Sequence, residues 1–150
     1  MAYQAVQQWE LDRYHGPRRG TAALRDVLIL LFAKGGAFDD GIYNRRPVRG
    51  GTSWSLHAVG RAIDIGVRNH DIGEFIATGL VKGDNPVGCG ICEVIWNRRR
   101  WTAEKGWQPY SGVDPHTSHV HIGQTIEMAD NPATTDQLHG WFAGVLTNAA

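Results

Sequence analysis

Apolar positions recur along this chain with two different periods. Leu24, Val27, Leu28 and Leu31 share one stripe of a 3.6-residue repeat. That spacing predicts a helix from Thr21 to Lys34, with Thr21 as its cap and Gly35-Gly36 as its stop. An earlier helix is expected from about Tyr3 to His15, ending at Gly16-Pro17. A third is expected from His70 to Val81, with Phe75 and Ile76 turned inward. The last runs from Asn131 to Leu146, with Asn131 as cap and Pro132 at the first helical position. Between these helices the period shortens to two. Ala62 to Val67 reads as a strand with Ile63 and Ile65 on one face. Glu93 to Trp96 and His119 to Gln124 read the same way, and another short strand includes Arg100 and Trp101. Gly41 to Val48 is short and mixed, Arg49 to Ser53 is a loop, and Gly83-Asp84-Asn85-Pro86 is a turn. Helices come first, then mostly strands, then a helix. The order predicts an α+β fold, an antiparallel sheet with helices packed mainly on one side.

The 150 residues suit one domain, 1–150, with one core, and neither repeat nor linker interrupts them. Lys+Arg and Asp+Glu balance at 15 each, so a nucleic-acid partner, which calls for basic excess, is not expected. The longest unbroken apolar run, Val27 to Ala33, is too short to span a membrane. The first ten residues lack the basic start and apolar stretch of a secretory signal. Cys89 and Cys92 form a single CxxC, half of a four-cysteine zinc site. Because it leads into a strand, it reads as two buried or semi-buried thiols without chemistry.

Candidate chemistry lies in two clusters, Ser55-Leu56-His57-Ala58-Val59-Gly60-Arg61-Ala62-Ile63-Asp64 and Ser118-His119-Val120-His121. Neutral imidazole and carboxylate are good zinc donors. On a strand, His119 and His121 share one face while Val120 and Ile122 share the other. Gly60 and Ala62 are small enough for a tight turn between His57 and Asp64. Asp64 alternates with Ile63 and Ile65, so it faces away from them.

With six residues between His57 and Asp64, the first cluster fits Ser-x-His-x-x-Gly-x-Ala-x-Asp. Together with the His-x-His pair it resembles the zinc peptidases that group lysostaphin, D-Ala-D-Ala metallopeptidases and the zinc domain of hedgehog proteins. The likeness runs from about Arg46 to Gly123. It is strongest to the D-Ala-D-Ala carboxypeptidase-like and L-alanyl-D-glutamate peptidase-like domains of actinobacterial proteins and phage endolysins. The resemblance implies a hedgehog/D-Ala-D-Ala peptidase-like sheet and one Zn2+ per chain. It implies His57, Asp64 and His121 as the metal ligands, with water in the open fourth place. His119 then stands beside that water or the substrate oxyanion. Many relatives carry an acidic base three positions before the last ligand, where this chain has Ser118. His119, Asp114 and, less favoured, His116 are the replacements. Relatives use arginine just before the first motif to hold a peptide carboxylate or carbonyl, a role that falls to Arg46 and Arg49. Ser55 is expected near the metal or substrate, and Trp54, Trp101, Trp107 and Tyr110 are candidates for the cleft wall. Arg61 reads as a structural ion-pair partner. Arg98-Arg99-Arg100 reads as a solvated turn or strand edge.

The expected activity is therefore hydrolysis of an amide bond in peptidoglycan stem peptides or cross-links. The expected protein is a monomer, made in a host cytoplasm without a signal peptide and acting on the wall after release, as a phage lysin does. The rival expectations are an inactive zinc-stabilised module that binds cell wall or a protein partner, and a metallohydrolase of small amides.

Overall fold

A computed structural model describes residues 2–82, 90–132 and 135–149. Its helices are α1 (Gln8–Arg13), α2 (Arg19–Phe32), α3 (His70–Leu80), α4 (Ile126–Asp130) and α5 (Thr135–Ala149). Its strands are β1 (Ala37–Gly41), β2 (Ala62–Val67), β3 (Ile91–Trp96), β4 (Arg99–Thr102), β5 (Gly106–Pro109) and β6 (His119–Gln124). The strands form one sheet in the order β1-β2-β6-β3-β4-β5, antiparallel throughout. The fold is α+β. Among the described residues, no helix is long and apolar enough to cross a membrane.

The two faces of the sheet do different work. Ile63, Ile65, Val94, Trp96, Val120 and Ile122 all lie in the main core, with Leu24, Leu28 and Phe32 of α2, Ile76 and Leu80 of α3, and Phe142 of α5. Period-two alternation sends the intervening residues, Asp64, Glu93, His119 and His121, to the opposite face. That face carries smaller apolar clusters at one end. Leu11 of α1 packs with Ala58 and Val59 of a short 3-10 turn, Leu56–Val59, and Leu56 packs with Ala62 and Cys92. The rest of it is open.

Several elements depart from their sequence expectation. Residues 2–7 are not helical, and distant polar groups hold them: Arg61 donates to the Gln4 carbonyl, and the Gln4 side chain accepts from Ile126 N at 2.7 Å. Thr21 is not a cap. It is buried inside α2, its hydroxyl donating to Gln124 at 2.7 Å, and the helix begins at Arg19. Asn131 closes α4, a helix the sequence pattern hid, and α5 starts at Thr135. β1 and β5 were also hidden. β1 is an edge strand whose Asp39-Asp40-Gly41 end has low strand propensity. The Gly83–Pro86 turn and Cys89 lie outside the described residues. Cys92 is buried and free, and burial pushes its thiol up to about 11, which leaves it inert at neutral pH.

Candidate functional site

Strand register brings the two motifs together. Asp64 of β2 and Ile95 of β3 both pair with His121 of β6, so the three side chains form a row across the open face. Gly66 pairs with His119 one step along, and Glu93 pairs with Gly123 on the other side. Gly123 matters for its missing side chain: a Cβ there would stand 2.5 Å from Leu56 Cδ1 and 3.3 Å from Glu93 Cβ. His57 arrives from the 3-10 turn. Ser55 caps that turn by accepting from His57 N at 3.3 Å. Gly60 ends it with φ +71°, which a residue with a side chain adopts at a cost.

The result is a triangle. His57 Nε2 lies 3.2 Å from His121 Nδ1 and 3.2 Å from Asp64 Oδ1, and His121 Nδ1 lies 3.1 Å from the same oxygen. The outer nitrogens decide what these atoms carry. His121 Nε2 is 3.0 Å from Glu93 Oε1, an acceptor only, so a neutral His121 keeps its proton there. His57 Nδ1 faces the Ile42 carbonyl, also an acceptor only, at 3.5 Å. With both imidazoles neutral in those tautomers, three lone pairs, two from imidazole and one from carboxylate, converge on one another. Either a proton or a cation must sit there. Four-coordinate sites with bonds of about 2.0–2.1 Å space their ligands about 3.3–3.4 Å apart. The triangle is within a few tenths of an ångström of that, and these three residues fit a metal ion.

The surrounding charges respond to that arrangement. Burial opposes charge on every member, yet the Asp64 and Glu93 carboxylates raise His121 up to about 10 in the protonated form. Asp64 is correspondingly held far below the usual carboxylate range by its bonds with His121 and His57, despite burial. Glu93, also buried, is lowered to about 2 by His121 and by Arg100, whose Nε donates to it at 2.5 Å. Sequence reasoning missed Glu93. Its signal was a lone carboxylate within the otherwise apolar, fully buried run Ile91–Trp96, where an unpaired charge would be costly.

These groups floor a cleft of about 690 Å³. Arg46, Arg49, Ser55, Tyr110, Asp114 and His119 all line it. His119 Nε2 is 3.6 Å from Asp114 Oδ2, and its Nδ1 faces Ser118 Oγ at 3.4 Å and Asp40 Oδ2 at 3.8 Å. His116 lies in the cleft too, its ring centroid 4.6 Å from that of His119. Burial, together with His121 and His119, lowers it to about 4, so it is neutral at neutral pH. Trp54 is not in the wall: it is half-exposed, with Arg45 stacked 5.7 Å from its ring. Trp101 and Trp107 pack against the main core instead. The arginine run splits three ways. Arg98, at φ 62°, makes the β3–β4 turn, Arg99 pairs with Glu74 at 2.8 Å, and Arg100 reaches into the cleft. Arg61 is fully buried and pairs with Glu10 at 3.0 Å, the structural role expected of it.

No curated protein and no solved structure matches this chain. One protein family does match it, over residues 21–121, a span that runs from α2 through β6 and includes His57, Asp64 and His121. As that span is more than half of the 150 residues, the chain belongs to the family described as VldE, C-terminal domain.

Proposed function

We propose that this chain is a zinc-dependent peptidase that hydrolyses an amide bond in peptidoglycan stem peptides or their cross-links. The observation that carries the reading is the convergence of the His57, Asp64 and His121 lone pairs on the floor of an open cleft. Two imidazoles and one carboxylate are a donor set suited to zinc, and three protein ligands with an open side are the pattern of a catalytic rather than a structural site. Zinc bound there supplies Lewis acidity and lowers the pKa of a water towards about 7.

The chain's own residues do the rest. His119, beside the ligands and 3.6 Å from Asp114, is placed to hydrogen-bond the developing oxyanion of the scissile carbonyl. Asp114 is held below the usual carboxylate range by its contacts with His116 and the nearby His119 and Arg49, despite some burial, so it is an ionised acceptor. The pair can carry a proton from attacking water to the leaving amine. Arg46 and Arg49 line the cleft, and Arg46 Nε is buried with no hydrogen-bond partner. Such a donor awaits an acceptor, and stem peptides, rich in carboxylates and carbonyls, offer many. On this reading the protein acts as a monomer on the cell wall, in the manner of a phage lysin.

The test is digestion of purified actinobacterial peptidoglycan by zinc-loaded protein, with a chelator-treated control and mass spectrometry of the fragments. New amine and carboxyl ends that appear only with zinc establish the peptidase and identify the bond. No release from protein carrying stoichiometric zinc rejects it in favour of a zinc-stabilised binding module.

A further inference from the structure

A second group of ligating side chains shares the cleft. Asp114, His116 and His119 each place one candidate ligand atom within 4.8 Å of the other two. None of the three belongs to the first triangle, although the His116 ring lies 5.7 Å from that of His121. The loop that carries Asp114 and His116 is pinned rather than loose. Asn97 N donates to the His116 carbonyl at 2.7 Å, and Arg98 N donates to that of Pro115 at 2.9 Å. Asp114 Oδ1 accepts from His116 N at 2.9 Å. His116 itself is held at φ 53°, a left-handed conformation that costs energy in a residue with a β-carbon. Strain kept at such a position marks a side chain whose direction is fixed by its surroundings.

The contacts of the two rings show which nitrogens face the shared space. His116 Nδ1 is 2.8 Å from the Asp114 carbonyl oxygen, so its proton is there and Nε2 is unprotonated. His119 Nδ1 faces the Ser118 hydroxyl at 3.4 Å and the Asp40 carboxylate at 3.8 Å, and Nε2 is the nitrogen turned towards Asp114. At 3.6 Å, His119 Nε2 and Asp114 Oδ2 are too far apart for a direct hydrogen bond.

We propose that Asp114, His116 and His119 form a second, weaker site for a divalent transition-metal ion, and that a cation bound there blocks the reaction. His119 Nε2 and Asp114 Oδ2 stand 3.6 Å apart, against 3.1–3.2 Å in the first triangle, and bonds of about 2.0–2.1 Å require the side chains to draw together, hence the lower affinity. The blocking effect rests on the peptidase reading, because the second cation takes the lone pairs of His119 and Asp114 that would otherwise handle the proton. The site itself does not rest on that reading.

The experiment is a zinc titration of the metal-free chain, followed by direct-binding calorimetry and metal analysis after gel filtration across a range of free zinc. Wild type is expected to take up one zinc tightly and a second weakly. His116→Asn, in which asparagine tolerates the left-handed backbone, and Asp114→Asn, which keeps the oxygen facing His116 N, are each expected to lose only the weak equivalent. His57→Ala is expected to lose only the tight one. Peptide release by wild type should fall as zinc is raised from one to several equivalents, while that of His116→Asn, scaled to its own rate at one equivalent, should not. A single zinc in wild type, or a weak zinc that survives both Asn variants, overturns the second site. Two zinc ions with no peptide release at any loading leave the second site standing and sink the peptidase reading and the inhibition with it.

Discussion

His121 stands between two carboxylates, Asp64 on its Nδ1 side and Glu93 on its Nε2 side. Only one of them can face the lone pair. Glu93, itself fixed by Arg100, takes the Nε2 proton and so points Nδ1 at His57 and Asp64. It is a positioning residue of the kind that tunes metal ligands from behind. Glu93→Gln keeps an acceptor but removes the charge, and zinc affinity should fall about 10–100-fold in chelator competition. Unchanged affinity would deny Glu93 this role. A pH dependence follows from the same contacts. In the metal-free chain, burial disfavours a charged His121 but the two carboxylates outweigh it and raise it up to about 10, so at neutral pH a proton occupies the place of the metal. Zinc must expel it. Affinity should therefore rise by about tenfold per pH unit from neutrality towards about 10. Calorimetry in buffers of different ionisation enthalpy should show about one proton released per tight zinc at pH 7; no release would mean that His121 is already neutral.

At the scale of elements, two strands and one turn deliver the site, and the turn is the fragile part. Gly60 ends the 3-10 turn at φ +71°, and a Cβ there would collide with the carbonyl oxygen of Gly16. Gly60→Ala should cost more than about 1 kcal/mol in urea unfolding, and should weaken zinc binding by shifting His57. Full stability in that variant would show that the turn can relax. This turn and the strands β2 and β6 were legible in the sequence because each rests on a local pattern: alternation in Ala62–Val67 and His119–Gln124, and a glycine set between His57 and Asp64. What stayed hidden rests on long-range contacts. The non-helical segment before Gln8 has helical composition and is tied down at Gln4 by Arg61 and Ile126. β1 and β5 are made by pairing with β2 and β4, not by their own residues. Glu93 looks like a stray charge until β3 is laid beside β6, and Trp54 looks like a cleft wall until the loop is seen to turn it outward.

Across the whole molecule, the side of the sheet that carries His57, Asp64 and His121 has no helical layer of its own, and a buried ionic network takes part of that task. Glu10 of α1 is fully buried between Arg18 at 3.1 Å and Arg61 at 3.0 Å. Arg18 continues to Asp130 of α4 at 2.6 Å and to the Ile126 carbonyl at 2.7 Å. Arg61 continues to the carbonyls of Gln124 and Gln4. Four distant segments, the N-terminal stretch, α1, the start of β2 and the β6–α4 junction, thus meet at two guanidinium groups. A buried ion pair contributes little net stability when it is exchanged whole for apolar residues, but breaking one side strands the other in low dielectric. Arg61→Met is such a break. It removes a charge from beside Glu10, leaves two buried carbonyls short of a donor and frees residues 2–7. The metal-free variant should lose about 3–5 kcal/mol in denaturant unfolding. Arg61 lies between His57 and Asp64, so if these hold zinc as proposed, part of the loss should return on adding zinc. A variant as stable as the parent would mean that Arg18 alone satisfies Glu10. A loss that zinc does not reduce would mean that the network and the metal site are independent parts of the fold.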